Sequence, residues 1–433
     1  MPFHNKKIET ASRQVLEGHQ FGHLKKMLEK VCRSNPFYTD KYGSAGIRPE
    51  DITSLDDLKL LPFTHKEELE QDQVNNPPFG TTLTEPLDHY VQYHQTTGTT
   101  GTPIKMLDTR ESWDWRGEGA CYILAAAGVT SEDTILIAFN FGPYTAFWIL
   151  YEGAYKIGSL IIPTGGWNTE QRLDCLLENR VTVLAGTPTY VLRMAAVARE
   201  KNIDLRNSDV RILILSGEAG ALDPVLRDKI EGTWGAKAFD YVGLTEVGTW
   251  GFQCHKAPTS IHIMESEFIA EIIDPETGQN IPEGQEGELV LTNLGRTCNP
   301  AIRFRTRDIV KALPDTCACG RTFRSLDGGI LGRQDQMVKI RGINIFPSTV
   351  GVLVEKHMDP GYEYKIIALR ENDRDDIRIL IEKEGSQDVL HDFTAGLQSE
   401  LKRQFNLSFR VEIAEKGTLP RYEHKAKRFV DER

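Results

Sequence analysis

Long apolar runs are missing from this chain: no stretch approaches the ~18–20 consecutive apolar residues that a membrane-spanning helix needs. The first residues, M-P-F-H-N-K-K, lead into no apolar segment, so the sequence reads as carrying no secretory signal and no membrane anchor. Excess positive charge is missing too. With 51 Lys and Arg against 62 Asp and Glu, the net charge is −11, which argues against broad binding to nucleic acid or to an anionic membrane surface. Cysteine is scarce, at 7 of 433 residues, and apart from Cys317 and Cys319 it is scattered. An odd, dispersed set excludes a disulfide framework and suits reduced thiols in the cytoplasm, with room for one metal site. Internal repeats and low-complexity segments are absent. So is a Walker loop, because no Gly-x4-Gly-Lys-Ser/Thr spacing can be laid on the chain.

What is present has the texture of a large α/β enzyme. At this length two or three domains are expected. Residues 1–90 read as helical: Leu24, Met27, Leu28 and Val31 repeat at helical spacing, and Asn35-Pro36 ends the run. Next comes the polar stretch 94–103, H-Q-T-T-G-T-T-G-T-P. It is too polar for a buried strand, and its glycines let backbone N–H groups converge on an anion. Beyond it, short apolar runs recur at 135–139, 160–163, 181–185, 211–216 and 236–242, separated by helical stretches such as 190–200. Strands buried on both faces and alternating with helices predict an α/β fold with a parallel-rich sheet. Nearly every such strand ends in small or polar residues, and ligands of these sheets bind beyond the strands' carboxyl ends. A β-rich part follows at about 260–325. From 333 the chain becomes a compact α+β piece, whose last strand is predicted at 409–413 before a polar tail. The organisation expected is therefore 1–332 as a large domain and 333–433 as a small mobile one.

Eight motifs occur in order: T-T-G-T-T-G-T-P at 96–103, I-P-T-G-G at 162–166, A-G-T-P-T-Y at 185–190, S-G-E at 216–218, Y-V-G-L-T-E at 241–246, R-F-R-T-R-D at 303–308, G-R-Q-D-Q-M-V-K-I-R-G at 332–342 and L-P-R-Y-E-H-K-A-K-R at 419–428. Together they resemble the acyl-adenylate-forming superfamily over essentially the whole chain. R-T-R-D and the N-I-F-P run at 344–347 resemble its phenylacetate–coenzyme A ligase branch most. The resemblance implies ATP-dependent ligation of an aryl carboxylic acid to coenzyme A through an acyl-adenylate, releasing AMP and pyrophosphate. It also implies which residues act. Thr96, Thr97, Gly98, Thr99, Thr100 and Gly101 would cradle the phosphates. Ser216, Gly217, Glu218, Asp240, Tyr241, Gly243 and Thr245 would line the nucleotide and acyl sites. Glu246, beside Thr245, would hold Mg²⁺, a hard cation that takes oxygen ligands. Asp308 would accept from the ribose hydroxyls, although an ion pair with the flanking Arg305 or Arg307 is the alternative. Arg333 would contact phosphate or ribose, and Asp335 would be the hinge of the small domain. Lys425 would bridge the attacking carboxylate and the α-phosphate. Lys427 is the rival for that role, since His424 stands where the family usually has glycine before its lysine.

The opening loop departs from the family, with Thr102 where many relatives carry lysine. Lys105 lies three residues on, but a strand there would direct it elsewhere. For the acid, Phe141, Tyr144, Tyr241 and Trp250 are the candidate walls among aromatics expected mostly in the core. Cys317 and Cys319, with Cys254 and either His255 or His262 from the earlier strand, make a Cys3His set, the donor set of a structural zinc site; the resemblance to the ligase branch implies Cys254, His262, Cys317 and Cys319, with His255 as the spare. The resemblance also brings an expected homodimer. Two other functions fit the same motifs: transfer of the acyl group to another thiol acceptor, and a catalytically silent, zinc-stapled nucleotide-binding protein.

Overall fold

The structure is a computed structural model and describes residues 3–96, 102–218, 221–314, 316–341, 343–359, 361–371, 374–422 and 428–433, with the side chains of Asp335, Asn344 and Arg374 also left undescribed. The chain opens with α1 (Lys6–Glu9), α2 (Arg13–Ser34), α3 (Pro36–Ser44) and α4 (Lys66–Asn75). Asn35 ends α2 and caps α3, its side chain accepting from Tyr38 N while Pro36 fills the first turn. The predicted stripe of Leu24, Met27, Leu28 and Val31 is buried, against Ile269, Leu294 and Ile302 of the later β-rich part. A hairpin of β1 (Tyr90–Gln95) and β2 (Lys105–Thr109) brackets the polar loop. Its neck is closed by Thr96, whose N–H donates to Ile104 O (3.0 Å) and whose hydroxyl oxygen accepts from Ile104 N (3.0 Å).

The middle of the chain alternates as predicted: α5 (Arg110–Ala127), β3 (Thr134–Ile137), α6 (Thr145–Ile157), β4 (Leu160–Pro163), α7 (Thr169–Glu178), β5 (Val183–Gly186), α8 (Pro188–Glu200), β6 (Ile212–Leu215), α9 (Pro224–Trp234) and β7 (Lys237–Leu244). Strands β4, β3, β5, β6 and β7 lie side by side and parallel. Alternation sends Ile135, Ile137, Ile212 and Ile214 to one face, packed with α5 and α6 residues such as Ile123 and Leu150. Leu136, Leu213 and Leu215 go to the other, against Leu173, Val191 and Leu226 of α7, α8 and α9. Two-sided burial, at roughly 1.5–3 kcal/mol per large aliphatic side chain, is what makes the central strands β5 and β6 apolar throughout, whereas β4 at the sheet edge leaves Leu160 exposed. The sheet continues antiparallel through β8 (Gly248–Cys254) and β9 (Ala257–Ile263).

Strands β10 (Phe268–Ile273), β11 (Glu286–Asn293) and β12 (Phe304–Lys311) form a second, antiparallel sheet. Then β13 (Ser325–Asp327) returns to pair with β9, while β14 (Gly332–Arg333) joins β12. A small hairpin, β15 (Val338–Ile340) and β16 (Ile343–Ile345), leads to α10 (Pro347–Lys356), β17 (Tyr364–Glu371), β18 (Arg374–Glu382), α11 (Gln387–Phe405) and β19 (Arg410–Ala414). Here the expectation of a last strand at 409–413 is corrected. A further strand, β20 (Phe429–Asp431), lies parallel beside β17 and completes the sheet in the order β19-β18-β17-β20. Among the described residues no helix is long and apolar enough to cross a membrane.

Where α10 meets α9, Lys356 pairs with Asp223 (3.0 Å), and Lys229 Nζ donates to the carbonyls of Glu355 (3.3 Å) and Met358. The Glu355 side chain turns inward, accepting from Tyr364 Oη (2.9 Å) and Arg428 Nη1 (3.3 Å). Burial pushes its carboxyl up to about 7; the charges of Glu218 and Glu363 add to this, while Arg428 and the Tyr364 hydroxyl oppose it. A carboxyl with a raised folded pKa favours the fold when protonated. Its contribution is complete below the unfolded value of about 4.5 and is lost as pH rises to about 7. Urea unfolding should therefore show stability falling across that window by at most about 3 kcal/mol, and Glu355→Gln should flatten the slope. An unchanged slope in the variant would assign the pH dependence elsewhere.

Candidate active site

Parallel neighbours β5, β6 and β7 bring three of the motifs to one edge of the sheet. At the end of β6, Ser216 N donates to Gly186 O (3.3 Å) and Ser216 Oγ donates to Tyr241 O (2.8 Å), so three strand ends are tied across. Gly217 takes φ +89, which lets the chain turn there without Cβ strain. Glu218 Oε2 accepts from Thr189 N (3.2 Å) and Thr189 Oγ1 (2.7 Å) at the start of α8. At Gly243 a Cβ would sit 2.9 Å from Thr249 Cα, so only glycine permits the close pairing of β7 with β8. Tyr241 is buried, its hydroxyl donating to Ala146 O (3.2 Å) on α6. Asp240 is buried behind it. Burial pushes its carboxyl up to about 8, against Tyr241's backbone N–H and the Arg227 charge.

Just beyond β7, Glu246 is only 5% exposed, and Lys66 Nζ lies 3.4 Å from its Oε1. The sequence reading assigned no chemistry to the region of Lys66. Nothing local marks it, because the first residue of α4 meets Glu246 only through the fold. The carboxylate is thus a buried oxygen donor facing a cation, which is the chemistry a hard metal ion requires of its ligand. Lys105, by contrast, is engaged through Nζ, which donates to Pro78 O (3.1 Å).

Asp308 sits in β12 at 1% exposure, and among the described residues it pairs with Arg333 across the β12–β14 pair (3.4 Å). Neither flanking arginine pairs with it: Arg305 is held by Glu288 and Arg307 by Glu67 (2.5 Å). Residues 333 and 308 are thus brought together. The backbone of Asp335 lies in a short 3-10 turn, Gln334–Gln336. Among the aromatics, Phe141 packs edge-on to Trp148 (4.8 Å) and Tyr144 is 36% exposed at the start of α6. Trp250 is fully enclosed in the core under the sheet. Thr97, Gly98, Thr99, Thr100, Gly101, Lys425 and its rival Lys427 lie outside the described residues.

The Cys3His set converges. The ligand atoms of Cys254, His262, Cys317 and Cys319 all lie within 4.8 Å of one another. A tetrahedral zinc with Zn–S of about 2.3 Å and Zn–N of about 2.0–2.1 Å spaces its sulfurs about 3.7 Å apart and a sulfur and nitrogen about 3.6 Å apart. Cys254 Sγ to Cys317 Sγ is 3.7 Å, and Cys319 Sγ to His262 Nε2 is 3.6 Å, so the donors fit that ion. His262 Nδ1 faces Phe323 O (3.3 Å), the usual outer partner that leaves Nε2 for a metal. His255, the spare, is outside this group among the described residues. The same loop grips the N-terminus: Arg321 pairs with Glu9 (2.5 Å), both buried, and Thr322 N donates to Glu9 O (2.9 Å).

Comparison with known proteins places these features. Residues 43–295 match the model of the AMP-binding enzyme family, and residues 342–433 match that of the AMP-binding enzyme C-terminal domain. The phenylacetate-coenzyme A ligase of Escherichia coli (strain K12) is 32% identical over 434 residues, covering 98% of this chain and 96% of that one. The solved structure of a 2-hydroxyisobutyryl-CoA ligase in its postadenylation state superposes with a TM-score of 0.92 at 27% identity, over 99% of this chain and 92% of that one. The same ligase in its thioesterification state gives 0.75 at 28% identity, with 98% and 91% covered. Coverage hardly changes between the two, so the difference lies in how the parts are arranged. Its motifs, its fold and its full-length relatives agree: the chain belongs to the AMP-binding enzyme family.

Proposed function

We propose that the protein ligates an aryl carboxylic acid of the phenylacetate type to coenzyme A in two steps driven by ATP. In the first, a carboxylate oxygen attacks the α-phosphorus, the bond from that phosphorus to the bridging oxygen breaks, and pyrophosphate leaves with the electron pair. In the second, the coenzyme A sulfur attacks the acyl carbon, the carbon–oxygen bond to AMP breaks, and the thiol proton passes to solvent. In this reading Glu246, with Thr245, holds Mg²⁺, which when bound neutralises charge on the departing pyrophosphate. The loop from Thr96 to Gly101 supplies N–H and O–H donors to the phosphates, and Lys66 adds a cation beside Glu246. Ser216, Gly217, Glu218, Asp240, Tyr241 and Gly243 frame the nucleotide, while Asp308 and Arg333 take the ribose side. Phe141, Tyr144 and Tyr241 wall the acid, with Trp250 packed behind them. Lys425 brings its ammonium to the reacting oxygens, and the piece from 333 to 433 turns about Asp335 between the steps. Cys254, His262, Cys317 and Cys319 hold a structural zinc, whose four protein ligands leave no open position. The setting is read as cytoplasmic, in keeping with reduced thiols.

The observation that carries this reading is Glu246: a carboxylate buried at the end of β7, opposite Lys66, in a chain similar to coenzyme A ligases along its whole length. The test is an acid panel of phenylacetate, hydroxyphenylacetate, indoleacetate, benzoate and 2-hydroxyisobutyrate, offered with ATP, Mg²⁺ and coenzyme A. An arylacetate is expected to drive coenzyme A-dependent AMP release. Absence of turnover with every aryl acid would overturn the proposal. Pyrophosphate exchange without coenzyme A-dependent AMP release would point to another thiol acceptor, and ATP binding without exchange to the silent protein.

A further inference from the structure

Beneath Glu246 lies a charge cluster that none of the motifs contains. Asp108 of β2, Arg116 of α5 and Arg296, in the turn after β11, have side chains 0%, 1% and 0% exposed. Asp108 Oδ1 accepts from Arg296 Nε (2.5 Å), and Oδ2 accepts from Arg116 Nη1 (2.7 Å) and Arg296 Nη2 (3.0 Å). One carboxylate is thereby saturated by two guanidinium groups, and each guanidinium keeps N–H groups to spare. Arg296 Nη2 also donates to Leu107 O (3.3 Å) and Arg116 Nε is buried with no partner among the described residues, while one terminal nitrogen of each arginine reaches the same turn. Arg116 Nη2 donates to Thr245 O (3.2 Å), and Arg296 Nη1 donates to Glu246 O (2.9 Å).

Stability alone is a poor reason for such a cluster. Buried ion triads typically gain little over well-packed apolar residues of the same size, because desolvation offsets the Coulomb attraction. This one also carries an unbalanced positive charge in a dry interior. What it does is mechanical and electrostatic. Two carbonyls in succession are drawn inward, so the peptide between Thr245 and Glu246 has a fixed orientation, and with it the origin of the Glu246 side chain. The excess positive charge lies below a site that must accept polyphosphate through a loop carrying Thr102 in place of a lysine. Its reach is visible at His94, stacked on Trp113 (5.0 Å) at the entry to that loop: burial first, then the Arg116 charge, push this imidazole down to about 4. Because Asp108 sits on the strand leaving the loop, the cluster couples the loop's exit to the Glu246 peptide in one rigid unit.

We propose that Asp108, Arg116 and Arg296 are positioning residues that fix the Thr245–Glu246 peptide for metal–nucleotide binding and supply buried positive charge beneath it. This rests on the reading of Glu246 as the metal-bearing carboxylate, so the experiment carries an arm for each. Variants Arg116→Met and Arg296→Met, the conservative Arg296→Lys, and the apolar triple variant Asp108→Leu/Arg116→Met/Arg296→Leu are compared with Glu246→Gln. Mn²⁺·ATP binding followed by electron paramagnetic resonance and the Mg²⁺ dependence of acid-dependent pyrophosphate exchange are the readouts, with melting temperature recorded alongside. Arg116→Met, Arg296→Met and the triple variant should each weaken Mn²⁺·ATP binding and raise the Mg²⁺ concentration for half-maximal exchange about tenfold. Arg296→Lys keeps the charge but cannot reach both Asp108 oxygens and the Glu246 carbonyl, so it should fall between wild type and Arg296→Met, and the KM for coenzyme A should not move. The triple variant removes the charges while keeping the packing, so it covers the case in which a single arginine replacement fails to fold. Folded variants with unchanged Mn²⁺·ATP binding, or a lowered melting temperature with an unshifted Mg²⁺ curve, would overturn the proposal. If Glu246→Gln itself leaves Mn²⁺·ATP binding unchanged, the reading of Glu246 fails, and this proposal with it.

Discussion

Replacing Lys425 by alanine should cut acid-dependent pyrophosphate exchange by about two to three orders of magnitude, the scale seen when a donor to a developing oxyanion is removed. Thioester formation from chemically supplied acyl-adenylate should stay within about fivefold, because in the proposed reading the ammonium acts on the attacking carboxylate and the α-phosphate, which are engaged in the first step only. Residue 425 itself lies outside the described residues, but both its flanks are pinned. Upstream, Arg421 forms a two-pronged pair with Glu382 (2.9 and 2.6 Å), and Glu382 Oε1 also accepts from Gly417 N and Leu419 N. Downstream, Arg428 is held by Glu363 (2.9 Å) and Glu355 (3.3 Å), while its carbonyl accepts from Ile366 N (2.7 Å). Lys427→Ala is the matched control and should cost less than fivefold. If Lys427→Ala carries the loss and Lys425→Ala does not, the assignment between them is reversed.

Metal removal should have the second-largest effect. Cys319→Ser is expected to drop bound zinc from about one equivalent to under half and to lower stability by about 3 kcal/mol or more. For a chain of this size, with an unfolding entropy of about 2.1 cal/mol/K per residue, that corresponds to a fall in Tm of roughly 3–4 °C. Cys254 at the end of β8, His262 in β9 and the Cys317–Cys319 loop come from three places, so losing the ion frees the loop from the sheet. The loss should spread to the N-terminus, where Arg321 and Glu9 form a buried pair and Arg13 chelates Glu265 at 2.8 Å through both oxygens. Proteolysis near residue 12 should therefore quicken in the zinc-depleted protein. Wild-type protein carrying under half an equivalent of zinc would remove the basis for the site.

Some of this was legible in the sequence for plain reasons. Strands such as Ile212–Leu215 are buried on both faces and read as uninterrupted apolar runs, and the helices between them carry caps such as Thr187-Pro188 that mark their starts. The Cys3His set could be named from the sequence because its donor types suit zinc and because the resemblance singled out these four positions, and the fold brings their ligand atoms within 4.8 Å of one another. What escaped was whatever depends on the fold bringing distant side chains together. Lys66 has no local signature, yet it meets Glu246. Asp308 follows two arginines in sequence, Arg305 and Arg307, but a strand sends neighbours to opposite faces, and Arg307 takes φ +64; Asp308 instead meets Arg333 on the neighbouring strand of the sheet. The Asp108–Arg116–Arg296 cluster was hidden for the same reason, since polar residues in separate elements look like surface until the fold buries them. Strand β20 is three residues long and exists because β17 offers it an edge.

That last strand has a practical side. Because Phe429–Asp431 forms the outer rail of the C-terminal sheet, these three residues are built into the fold beside β17. An exopeptidase that trims only five residues, or an affinity tag that pulls them from their slot, would unfasten Ile366, Ile367 and Ala368 from their partners and untie one end of the segment bearing Lys425. A protein that ages in storage by C-terminal clipping would thus lose adenylation while its larger sheet stays folded and soluble. Intact-mass measurement is the way to notice it.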